Sequence, residues 1–204
     1  MRDPRLGAPH EVDLPAGPLR YYETGDGPPI VFVHGYLVNA NLWRKLVPLL
    51  ADRFRCITAD WPLTAVHPVT YRALYQALRW SRTWRWRNTY GWLAKEPIDA
   101  EIMRSYITPV VTDAAIRHDG RKAIGAVDAR YTRAVAGHLA KSFGKPIDLL
   151  WAADDRVFPV AEAQRYADLL GATLHTVPDS YTYLTEDQPD LTAQLVTSLL
   201  AQEA

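Results

Sequence analysis

An α/β fold is predicted, a mostly parallel sheet with helices around it in one domain over residues 1–204, interrupted by a helical insertion over residues 69–142. Three observations carry it. Residues 28–62 read strand, helix, strand in immediate succession, which demands a crossover and so a parallel pair. The same alternation returns after Lys145-Pro146, with apolar runs at 147–152 and 173–177 on either side of a helical stretch. Between the two lies a long segment with helical spacing and no strand pattern.

Taken in order, His10 to Leu14 and Leu19 to Glu23 alternate polar and apolar residues around Pro15-Ala16-Gly17-Pro18, the pattern of a hairpin at a sheet edge. Ile30-Val31-Phe32-Val33 is apolar and β-branched, a strand buried on both faces. Leu42, Trp43, Leu46, Leu49 and Leu50 recur at helical spacing, and Asn39 or Asn41 is placed to cap the first turn. Phe54 to Ala59 is the second strand, ended by Asp60-Trp61-Pro62. From Val69 to about Asn88 the chain is helical and aromatic, with Arg72, Arg79, Arg82, Arg85 and Arg87 among its tryptophans. Such a mixture serves membrane surfaces and nucleic acids. It equally suits a helix that buries its tryptophans on neighbouring helices and solvates its arginines, and this is the reading expected here. Gly91 breaks the run, and Pro97-Ile98-Asp99 opens a helix that carries Ile102, Met103 and Tyr106 to a core. Helical stretches follow at about 113–126 and 130–142. Ile147 to Ala152 is a strand, Val160 to Leu170 a helix closed by Gly171, Thr173 to Val177 a last strand, and 189–200 a final helix.

Composition narrows the function classes. Lys plus Arg and Asp plus Glu stand at 23 each, so no overall field favours nucleic acid or an anionic membrane. No apolar run is long enough to span a bilayer, and the N-terminus lacks the apolar core of an export signal. The single cysteine, Cys56, lies in an apolar strand and reads as a buried reduced thiol, which fits a cytoplasmic protein.

The order of elements and three motifs resemble the α/β-hydrolase superfamily, above all its branch of haloalkane dehalogenases, epoxide hydrolases and related esterases, which carry a helical cap. His34-Gly35 after the first crossover strand is similar to the family's oxyanion loop, and the resemblance makes the N–H of Tyr36 a donor to developing negative charge. Asp60-Trp61-Pro62 is similar to the family's corner after the next strand. Asp155, four residues before Pro159, stands where the family keeps the acid that orients a catalytic histidine. What the resemblance implies is hydrolysis of a small uncharged ester, epoxide or halide, without a cofactor, in a pocket lined by His34, Gly35, Tyr36, Asp60 and Trp61.

Two parts of that pattern are not in the sequence. No G-x-S-x-G, G-x-C-x-G or G-x-D-x-G occurs, so no nucleophile is found, and the chain passes from Pro62 to the helical insertion through one short loop. The strands and helices omitted would take roughly 50 to 60 residues. In the loop after the last strand Thr182 stands in the histidine's place, and a threonine hydroxyl, which does not titrate near neutrality, cannot act as imidazole does. Asp155 would then have nothing to orient. Of the other histidines, His34 is expected to be packed and hydrogen-bonded, His175 to face solvent from a strand, and His67, His118 and His138 to belong to no pairing. No cluster has metal-ligand spacing, so no metal is expected.

Two expectations compete for function: a weak or inactive hydrolase relative, and a non-catalytic protein that binds a small apolar molecule or a partner surface beneath its tryptophans. A structural expectation follows from the omitted block. Ile30 to Val33 should pair directly with Ile147 to Trp151, and a homodimer should cover the gap if that closure fails.

Overall fold

A computed structural model describes residues 2–15, 17–35, 38–60, 76–77, 79–86, 89–118, 130, 134–135, 137–139 and 143–202. The hairpin forms as read. Strands β1 (Ala8–Leu14) and β2 (Gly17–Thr24) pair antiparallel, with His10 opposite Tyr21 and Val12 opposite Leu19. The other face of β2 pairs antiparallel with β4 (Arg55–Ala59), and β4 pairs parallel with β3 (Pro29–Phe32), Ile30 opposite Cys56 and Phe32 opposite Thr58. The resulting order is β1-β2-β4-β3. β4 is central, so its apolar run is buried, and Cys56 has no exposed surface. Burial pushes its thiol up to about 11, which keeps it protonated and inert near neutrality.

The segment expected as one helix over Leu42 to Leu50 is divided. A 3-10 turn, Ala40–Trp43, precedes α1, Val47–Leu50. Pro48 explains the break: it has no N–H to offer and is tolerated only in a first helical turn, so α1 starts at its predecessor. Of the two candidate caps, Asn39 is the one used, its side chain accepting from the Asn41 N–H at 3.0 Å. Leu6, Leu46, Val47, Leu50, Phe54 and Cys56 meet there with Tyr22, Phe32 and Ala193 in one core.

The aromatic stretch departs most from its reading. Residues 69–75 lie outside the described residues. Beyond them, Trp80 is extended (φ −106°, ψ 117°) and a 3-10 turn follows at Ser81–Thr83. Thr83 is the physical cause. Its one hydroxyl proton is shared between the carbonyls of Ala77 (2.7 Å) and Trp80 (2.8 Å), and that of Thr89 has the carbonyls of Thr83, Trp84 and Trp86 within reach, so side chains replace the helical ladder. Nor are the tryptophans all buried: Trp80 is 58% and Trp86 53% exposed, while Trp84 packs on a core. Arg82 lies over the Trp80 ring, 4.9 Å from its centroid. Gly91 is needed because a Cβ there would collide with the Arg85 carbonyl. The next helix forms as read. Helix α2 (Ala100–Thr112) is capped by Asp99, which accepts from Glu101 N at 2.7 Å, and it buries Ile102, Met103, Tyr106, Ile107 and Val110. Residues 114–118 are helical too, with Asp113 accepting from Ala115 N.

The second α/β unit consists of β5 (Asp148–Ala152), α3 (Val160–Leu170) and β6 (Thr173–Val177), with β5 and β6 parallel. Gly171 closes α3 in the left-handed region at φ 64°. Helices α4 (Leu184–Asp187) and α5 (Pro189–Gln202) complete the chain, α5 packing on α1 and α4 on α5 and the Ala40–Trp43 turn.

The expected pairing of Ile30 to Val33 with Ile147 to Trp151 does not occur. Among the described residues β5 and β6 form a sheet of their own, and the ladder of β3 is with β4. Each edge is held by its own helices: α3 packs on β5 and β6, whereas α1 with α5 belongs to the first sheet. Closing the gap would require shearing one packed unit against the other, and a packed unit resists that more than an edge resists exposure. Val31 and Val33 are accordingly 57% exposed.

Candidate functional site

The loops at the C-terminal ends of β5 and β6 bring Asp155 and Thr182 together. The Thr182 hydroxyl donates to Asp155 Oδ1 at 3.0 Å. The same oxygen accepts from the backbone N–H groups of Val157 and Phe158, each at 2.8 Å, which tightens the loop between β5 and α3 and fixes the carboxylate. Asp155 therefore does orient a side chain, contrary to the expectation that it would have none. That side chain is a hydroxyl with one proton to give, and it gives it to the acid. The threonine hydroxyl does not titrate near neutrality, so it cannot take up a proton and pass it on as an imidazole would.

His34 and Gly35 lie beyond β3. His34 is 2% exposed, and its Nδ1–H donates to the Gly35 carbonyl at 2.9 Å, the packed, hydrogen-bonded role expected of it. Tyr36 and Trp61 lie outside the described residues, as does His67. Asp60, at the end of β4, is a structural anchor. It accepts from Arg2 Nε at 2.9 and 3.0 Å and from the Ala40 N–H at 3.2 Å, tying the N-terminal segment to the end of β4. A carboxylate so engaged is a poor nucleophile. His175 is half-buried instead of facing solvent, and its Nε2–H donates to Asp148 Oδ1 at 2.7 Å across the β5–β6 pair. Among the described residues no group of His, Cys, Asp and Glu is arranged to hold a metal ion.

Two charged networks escaped the sequence reading. In the first, Arg44 makes a bidentate pair with Glu186, Nη2 to Oε2 at 2.8 Å and Nη1 to Oε1, with both side chains buried. Lys45 adds a contact to Glu186 Oε2 at 3.1 Å and donates to its carbonyl at 2.8 Å. Beside them, burial raises the phenol pKa values of Tyr106 and Tyr183, so both stay protonated and neutral. In the second, Lys95 reaches Asp154 and Asp179, each at 2.6 Å, while Asp187 accepts from the N–H groups of Lys95 (2.9 Å) and Tyr181 (2.8 Å). Asp179 adopts φ 52° to place its carboxylate there. Partners so far apart in sequence leave no spacing signal; the clue is the adjacent pair Arg44-Lys45, two charges in an otherwise apolar run.

Burial holds the His34 imidazole below its ordinary 6.5, and the hydrogen bond to Gly35 and the charge of Asp60 only partly offset this. A folded pKa below the unfolded one means that the unfolded chain takes up the proton first. The stability His34 contributes is complete above about pH 6.5 and falls away as the pH drops through that value toward the folded pKa. Urea unfolding at a series of pH values should show this slope in the native protein, and His34→Asn should flatten it whatever that variant's absolute stability.

Similarity to known proteins agrees with the architecture. The sequence profile of the α/β hydrolase fold matches residues 28–63. Haloalkane dehalogenase 2 of Mycobacterium tuberculosis is 39% identical over 49 residues, 24% of this chain and 17% of that protein's length. Among solved structures, an α/β hydrolase fold protein from Burkholderia ambifaria superposes with a TM-score of 0.70 at 17% identity, covering 93% of this chain and 97% of the other. Haloalkane dehalogenase DbeA from Bradyrhizobium elkani gives 0.69 at 17% identity, covering 96% and 98%. The protein thus has an α/β-hydrolase fold, with parallel crossover pairs and a leading antiparallel hairpin. Residues 28–63 resemble the α/β hydrolases and, among curated proteins, a haloalkane dehalogenase, although the matched segment is a small part of that relative's length.

Proposed function

We propose that this chain is a hydrolase relative that does not hydrolyse, and that it binds a small apolar molecule instead. The observation that carries the reading is the hydrogen bond from Thr182 to Asp155, which fills the position of a histidine–acid pair with a group that cannot act as a base at neutral pH. On this reading His34 and Gly35, with Tyr36, are the remnant of an oxyanion loop, and 69–142 the remnant of a cap. Asp155 and Thr182 are what is left of a triad that has no nucleophile motif in the sequence. The buried thiol of Cys56 suits a reducing cytoplasm. A second copy of the chain covers the edge of β3, since Val31 and Val33 stand exposed there.

The test is hydrolysis of an activated acetate ester, 1-chlorobutane and styrene oxide by the purified protein, beside Asp155→Asn. Neither should exceed the buffer rate. A rate above buffer that Asp155→Asn abolishes would mean a working site and overturn the proposal.

A further inference from the structure

A crevice of about 160 Å³ opens in the segment 81–103, walled by Trp84, Tyr90, Ile98 and Met103, with Arg85 and Glu96 at its mouth. It shares no residue with the Asp155–Thr182 pair, with His34-Gly35 or with Asp60. Tyr90 and Met103 are almost fully buried and belong to the core that α2 forms, so those walls are rigid. The Tyr90 ring is stacked on Tyr106, centroids 6.2 Å apart, which fixes its orientation. Arg85 is anchored at the mouth, its Nη2 donating to the Lys95 carbonyl at 3.3 Å.

Size and lining select the occupant. An enclosed apolar cavity of about 150 Å³ accepts benzene, and this crevice, though open to solvent at one side, offers a comparable volume. Two aromatic side chains and a thioether in the lining add the contacts that an aromatic guest gains over an aliphatic one. Apolar walls cannot replace the hydration of an ion, and the one positive and one negative group at the mouth give no net preference for either sign. We infer that this crevice is a binding site for a neutral molecule carrying a single six-membered aromatic ring. The inference rests on the binding reading above and gives it a place in the fold.

Fluorobenzene titrated into the full chain and followed by ¹⁹F NMR tests it. Saturable binding is expected, displaced by toluene. Ala100 and Ser81 line the crevice and are exposed, so Ala100→Leu and Ser81→Phe fill it without disturbing the core, which an unchanged circular dichroism spectrum would verify. Each should weaken binding at least tenfold. Saturable binding that both variants leave unchanged would place the ligand elsewhere, overturning the crevice while sparing the binding reading. No saturable binding in the native protein would overturn both, and neither outcome bears on whether the chain hydrolyses.

Discussion

Glu186→Ala should lower the unfolding free energy by roughly 3 to 5 kcal/mol, the cost of leaving a buried charge without its partner. Arg44 and Glu186 are 3% and 2% exposed, and the carboxylate offsets the desolvation of the guanidinium through two parallel hydrogen bonds. The Asn41 carbonyl, at 3.0 Å from Arg44 Nη1, is the other acceptor described and is too weak to replace a carboxylate. Position makes the loss worse. Helix α4 and its flanking residues join the β5–β6 unit to the rest of the fold: the Tyr183 N–H donates to the Leu93 carbonyl at 2.7 Å and the Thr185 hydroxyl to the Leu42 carbonyl, in the Ala40–Trp43 turn, at 2.9 Å. Glu186 directly follows these two contacts, so its removal loosens the bridge between the halves of the fold. With a domain stability of about 5 to 15 kcal/mol to start from, the variant should unfold at far lower urea. Arg44→Met with Glu186→Leu should recover most of the loss, because two apolar side chains remove the unpaired charge along with its partner. A fall of under about 1 kcal/mol in Glu186→Ala would mean that water reaches Arg44 and that the pair is a surface contact.

Local chemistry made much of the architecture legible. Alternation in the hairpin, β-branched residues in β3, Asp99 before α2 and Gly171 after α3 each state a backbone preference that the fold then uses. Asp155 and Thr182 are singled out instead by resemblance to the family pattern, and their hydrogen bond arises because both lie in loops at the C-terminal ends of adjacent parallel strands. What local chemistry missed has two causes. Thr83 and Thr89 can serve either a helix surface or a hydroxyl-to-carbonyl cap, and only the packing of the segment on α2 decides between them. Arg44 and Glu186 lie 142 residues apart, and no periodicity links them. The separation of the two sheets belongs with the second cause. Strand pairing across a gap depends on how firmly each unit is packed on its own helices, a property of the whole fold that is invisible in Ile30 to Val33 alone.

On the proposed pairing of two copies along β3, Val31→Lys should leave the chain a monomer. Among the described residues β3 ends its sheet, with Val31 and Val33 each 57% exposed, so two copies can meet there about a twofold axis and present the same residues to one another. Around such an axis the two β3 strands run antiparallel, an arrangement that extends the sheet across both chains and covers the valines. The formal net charge is zero, so no global repulsion opposes the approach. A lysine at position 31 would bring two like charges together at the centre of that pairing, the device by which natural sheet edges stay separate. Val31 is already solvent-exposed, so the folded monomer should change by no more than about 0.5 kcal/mol. Dimer affinity should weaken tenfold or more, at least about 1.4 kcal/mol. Sedimentation velocity over a concentration series reads both: a concentration-dependent dimer for the native chain, and a single slower species for Val31→Lys with an unchanged urea midpoint. A native chain that sediments as a monomer at every concentration would exclude the second copy as the cover for β3.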